Sequence, residues 1–269
     1  MNNTFNGGRF LKFFIYDLKS MGRRHAFAAM MLGGAGLILY IISVVLSLVF
    51  SQKWGTPPEA ARWVVFSFAA IAFMFYQTQT YGFLTEKRAS SAYLMLPAST
   101  LEKFFSMMLN TLIVLPVLFF GVYFLIDWVL SLLDPGYGAT LASRFFEGVS
   151  ALFAGATVAA SGPIVLHIVL GFIGSAFVCL LYYLLCGILF KKRKVGYAIL
   201  ILLGINILFS PLGMWGFGLI GESIAAMTMS EEVINRLANS FLFGGHAALI
   251  LLIAGLSVGI YYRLKNITQ

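Results

Sequence analysis

Charge is what this sequence has least of. Only 10% of its 269 residues are Asp, Glu, Lys or Arg, and 60% are hydrophobic. A soluble domain carries about 25% charged and 45–50% apolar residues, so one buried core cannot absorb this excess. Cysteine is nearly absent too. Cys179 and Cys186 share an apolar run with no metal-ligating neighbours, which suits packing or lipid contact. No Gly-x-x-x-x-Gly-Lys-Ser/Thr loop occurs, so the chain is not itself an ATPase of that kind, and no His-Glu-x-x-His helix marks a zinc protease. Internal repeats, inverted repeats and low-complexity tracts are also missing. The first 25 residues hold five basic residues and an interrupted apolar pattern, unlike a cleaved signal.

What is present is a series of long apolar runs. A helix needs roughly 20 apolar residues to span the hydrocarbon of a bilayer. Six runs qualify or nearly qualify: about 27–50, 62–84, 104–130, 163–190, 195–208 with an uncertain continuation, and 241–262. The expected fold is therefore an all-α integral membrane protein, a single transmembrane domain over 1–269 with about six spans. Gly33, Gly34 and Gly36 in the first run permit close helix approach, and Pro116 predicts a kink in the third. The mixed segments 131–160 and 211–239 are expected on the extracytoplasmic side.

Ahead of the first span, Arg9, Lys12, Tyr16, Lys19 and Arg23 recur at helical spacing, with Phe10, Phe14, Leu18 and Met21 on another face. This pattern predicts an amphipathic helix over 9–25, lying in the interface and anchored to anionic headgroups by Arg9, Lys12, Lys19 and Arg23.

The net charge is +8, and nucleic acid is not needed to explain it because the basic residues lie between apolar runs. With the N-terminus inside, 14 of the 18 basic residues fall on the cytoplasmic side and four outside. That asymmetry orients six spans with both ends in the cytoplasm of an inner or plasma membrane.

The connection between the second and third spans, 85–103, carries the most information. Ala89–Met95 reads as a short helix, Leu96 before Pro97 as extended, and Ser99 with Glu102 as a capping box that starts the third span. Tyr93, Leu94, Met95 and Leu96 are apolar beside the charges Glu86, Lys87 and Arg88. Such a pre-shaped loop serves equally as a docking contact or as a segment folded back on the membrane surface.

The layout resembles the permease subunits of ABC-2-type transporters, a six-span exporter class, in the form seen in Bacteroidetes-like bacteria. Leu96-Pro97-Ala98-Ser99 with Glu102-Lys103 is similar to the turn that follows the family's coupling helix. Gly187 to Lys194 is similar to the end of its fourth span. The long 131–160 segment departs from the family pattern. The resemblance implies an elbow helix at 9–25 and a separate ATP-binding-cassette ATPase, carrying the ATP and Mg. That partner would dock on Glu86, Lys87, Arg88, Tyr93, Leu94, Met95 and Leu96, with Pro97, Ser99 and Glu102 shaping the loop. It also implies a homodimer or a pairing with a sister permease, no catalysis by this chain, and no cofactor or metal in it.

Other polar residues read plainly. Asp127 near the outer end of the third span is expected to face interfacial water. His167 and His246 lie near the outer ends of their spans, with nothing in the sequence tying them to each other or to a serine. Asn206 is placed to hydrogen-bond across helices. Lys191–Lys194 would stop a span, with acidic headgroups as an available partner. Two alternatives stand beside the exporter reading: an ion-coupled transporter or channel, which usually shows ionisable residues inside its spans, and a non-transporting scaffold or assembly protein.

Overall fold

A computed structural model describes residues 5–50, 55–86, 90, 93–158, 162–208 and 231–268. Among them the regular structure is entirely helical. In chain order the helices are α1 (Gly7–Gly33), α2 (Ala35–Val49), α3 (Glu59–Thr80), α4 (Thr100–Leu109), α5 (Leu115–Leu133), α6 (Leu141–Val158), α7 (Gly162–Leu189), α8 (Lys194–Leu208) and α9 (Glu231–Thr268). A 3-10 turn, Gly82–Thr85, follows α3, a π turn, Asn110–Val114, joins α4 to α5, and a second 3-10 turn, Pro135–Tyr137, follows α5.

Among the described residues, four stretches are long and apolar enough to cross a membrane: Glu59–Thr85, Thr100–Leu133, Val169–Leu189 and Phe243–Ile267. The remaining two expected spans meet shorter helices. At about 1.5 Å per residue, the 15 residues of α2 cover only about 22 Å. The expected first span is in fact divided at Gly34 between the last turns of α1 and all of α2. The expected fifth span coincides with α8, and its continuation into 211–230 lies outside the described residues.

Residues 9–25 are helical but do not form a separate element, because α1 continues without interruption to Gly33. Its partners advance in step along the third span. Arg9 meets Glu102, Asp17 meets Ser106 and Asn110, and a Cβ on Gly33 would sit 2.7 Å from Val122. An elbow lying across the bundle would not hold this register, so α1 runs beside the third span rather than across it. Buried Phe13, Asp17 and Met21 supply the inward face, while Lys12, Lys19 and Arg23 stay exposed.

The third span departs from regular α geometry where the sequence anticipates a kink. Pro116 has no N–H to give the carbonyl of Leu112, and its ring crowds that carbonyl. The chain widens into the π turn just before it, the usual way a helix accommodates such a defect. Helices α7 and α9 run parallel, from His167 beside His246 to Ile188 beside Arg263. Gly187 lets α7 touch α3 closely, since a Cβ there would lie 2.4 Å from the Thr78 carbonyl oxygen. The fold thus gathers Arg9, Glu102, Gly82, Lys194, Arg263 and Tyr261 at one end of the bundle, and Arg62, Asp127, Asp134 and Tyr137 at the other.

Candidate functional site

The connection after α3 is built from local bonds that the sequence dictates. The 3-10 turn closes with the Glu86 amide donating to the Phe83 carbonyl at 2.9 Å, and Ser90 N donates to Glu86 O at 2.9 Å. Tyr93 and Leu94 are helical, and Met95 to Pro97 turn the chain. Ala98 N then donates to Leu96 O at 2.7 Å, which fixes the turn before Ser99. Ser99 caps α4 with a complete capping box. Its hydroxyl accepts from Glu102 N at 3.3 Å, and its amide donates to Glu102 Oε2 at 2.9 Å.

Two buried side chains set this loop on the bundle. Tyr93, 6% exposed, packs edge-on against Phe13 and Phe83, with ring centroids 5.5 and 5.7 Å away. Burial first, then the Asp17 charge, pushes its hydroxyl well above its ordinary pKa. Lys103, 3% exposed, reaches back to donate to the Leu94 carbonyl at 2.8 Å. Loop and third span are therefore one mechanical piece at this point.

Of the residues expected to meet a partner, Met95 is 81% exposed and Glu86 is exposed, while Leu94 and Leu96 are half-buried. Tyr93, expected at the docking surface, is instead buried: its ring packs among those of Phe13, Tyr81 and Phe83, from which an aromatic ring gains more than from water. Lys87 and Arg88 lie outside the described residues. Pro97 is exposed at the turn.

Glu102 does more than cap a helix. It is fully buried, and Arg9 Nε donates to both its oxygens, at 3.0 and 2.8 Å, while Arg9 Nη2 donates to Oε1 at 2.8 Å. Asn6 N adds a further bond at 2.9 Å, beside the one from Ser99 N. Arg9 is thus held by a carboxylate rather than left free for a headgroup, and its guanidinium pKa is raised by the Glu102 hydrogen bonds. About two turns further along α1, buried Asp17 Oδ2 accepts from Tyr81 Oη at 2.8 Å, Ser106 Oγ at 2.6 Å and Asn110 Nδ2 at 3.1 Å. Helix α1, the end of α3 and the third span meet on this one carboxylate.

At the opposite end Asp127 does not face water. It is 3% exposed in its side chain and pairs with Arg62, equally buried, at 2.7 Å. Tyr137 Oη and Leu141 N also donate to it, at 3.1 and 2.6 Å, while Arg62 donates to the Tyr137 and Ala139 carbonyls at 3.0 Å each. The guanidinium also stacks over the Tyr137 ring, 4.0 Å from its centroid. Sequence reasoning missed this pair because its members stand 65 residues apart. It also missed His167 Nδ1 and His246 Nε2, which meet at 2.9 Å between α7 and α9. No group of three potential metal ligands occurs among the described residues. Asn206 donates to Leu202 O of its own helix, at 2.9 Å, rather than to a neighbour.

No protein-family model matches the chain, and neither does any curated protein or any solved structure. The class that sequence and fold define is accordingly broad: a protein whose described residues form only helical regular structure, four of the helices being long and apolar enough to embed in a membrane.

Proposed function

We propose that this chain is the permease subunit of an ATP-binding-cassette exporter, driven by a separate ATPase that docks on the loop between the second and third spans. The observation that carries this reading is Met95, 81% exposed at the tip of a loop whose neighbours Tyr93 and Lys103 are buried. An apolar residue displayed on a stiff mount is what a docking contact needs. A push on Glu86 or Met95 passes through Lys103 to the third span, and through the Glu102–Arg9 clamp to α1. Rigid contacts of this kind let nucleotide-driven closure rock helices between two states. On this reading six spans cross the membrane, the basic end faces the cytoplasm, and two copies, or one copy and a sister permease, complete the pathway.

The test is mild extraction of the native protein and identification of what comes with it. An ATPase subunit is expected, and it should be lost from a Glu86→Lys, Met95→Glu double variant whose melting temperature is unchanged. Recovery with no ATPase, or ATPase stimulation in vesicles that ignores the double variant, overturns the reading. A second reading has one observation in its favour: buried Asp17, with its donors Tyr81, Ser106 and Asn110, is the sort of ionisable group an ion-coupled transporter uses. Uptake driven by an ion gradient alone, and abolished by Asp17→Asn, would select it.

A further inference from the structure

Between the end of α3 and the α7–α8 connection lies an open cleft of about 270 Å³. Gln79 and Glu86 line one side, and Lys191, Arg193 and Lys194 line the other. Three cations therefore face one carboxylate. Lys194 is a built-in element, not a surface residue: it is 7% exposed, and its ammonium donates to the Gly82 carbonyl. Gly82 is what makes room for it, because a Cβ at that position would lie 2.6 Å from Lys194 Nζ. An ammonium has three donors and Gly82 takes one of them. The backbone reverses at Arg193, the one non-glycine residue with positive φ (50°) among the described residues. Arg193 and Lys194 line the cleft beyond that reversal, and Lys192 does not line it.

We propose that this cleft binds a phosphate-bearing anion. A guanidinium fork and two ammonium groups offer the donor geometry and charge that a phosphate takes up, and the surplus of two positive charges over Glu86 is opposite in sign to it. The cleft opens beside α8, whose Tyr197, Leu200 and Ile201 are exposed apolar residues one to two turns further on. A lipid with its headgroup in the cleft and its acyl chains along that face satisfies both features. Basic pockets beside spans on the cytoplasmic side suit such headgroups. The proposal does not depend on an ATPase partner.

The experiment uses the full chain in micelles and compares Lys191→Gln, Arg193→Gln and Lys192→Gln. Each removes one positive charge within three consecutive positions, but only the first two touch the cleft. Binding of phosphatidylglycerol, with phosphatidylcholine as the control lipid, added to the micelles is measured alongside inorganic pyrophosphate. Phosphatidylglycerol should bind selectively, and Lys191→Gln and Arg193→Gln should each weaken it about fivefold, with Lys192→Gln at the wild-type value. Pyrophosphate that displaces the lipid supports the site and identifies a soluble phosphate as a competent ligand. Pyrophosphate without effect, beside the same variant pattern, supports the site and assigns it to the lipid headgroup. Equal losses for all three variants mean diffuse surface charge, and that result, like no loss in any, overturns the proposal.

Discussion

Replacing Arg62 with Met should destabilise the protein by about 3–5 kcal/mol, the usual cost of stranding one member of a buried ion pair. The figure follows from burial. Both side chains are 3% exposed, so water cannot take over the orphaned charge. Asp127 would keep only Tyr137 Oη and Leu141 N, and the Tyr137 and Ala139 carbonyls would each lose a donor. Removing both charges, with Arg62→Met and Asp127→Leu together, leaves no stranded ion. The double variant should therefore be less damaged than the sum of the singles by roughly 2–3 kcal/mol. The assay is reversible unfolding in mixed micelles for the four members of the cycle, followed by helical circular dichroism. A pair open to water would cost only about 0.2–1 kcal/mol to break. An Arg62→Met effect in that range, or singles that add to the double within about 0.5 kcal/mol, would refute burial as the source of the effect.

Substitutions at four other positions probe the rest of the bundle. Gly187→Ala should cost about 1–3 kcal/mol by forcing α7 off the Thr78 carbonyl; Gly204→Ala, which meets open space, should not lower the unfolding midpoint. Tyr93→Ala should cost about 3–5 kcal/mol in lost packing. Tyr93→Phe should stabilise by up to about 1 kcal/mol, because the buried hydroxyl has no hydrogen-bond partner among the described residues. Glu102→Gln should release Arg9, seen as faster amide exchange over residues 7–12 than in wild type, and unchanged exchange there would mean the clamp holds nothing.

Local features were legible because they follow from neighbouring residues. Ser99 and Glu102 are three apart, the spacing at which side chain and backbone satisfy each other at a helix start. Pro116 announces a defect because its missing N–H is a property of the residue itself. The helical period of 9–25 was likewise visible, but its placement was not. Amphipathicity says that a helix has two faces and leaves open whether the apolar one meets lipid or protein. Phe13, Asp17 and Met21 resolved that in favour of protein.

Composition alone thus determined that this chain is helical and apolar enough for a membrane, since 60% hydrophobic residues in long runs leave no other economical way to satisfy the backbone. Only the tertiary structure decided which polar residues are partners. Arg9 with Glu102, Asp17 with Tyr81 and Asn110, and Arg62 with Asp127 stand 64 to 93 residues apart. The energy of pairing depends on distance in space and on burial, and neither can be read from a position along the chain.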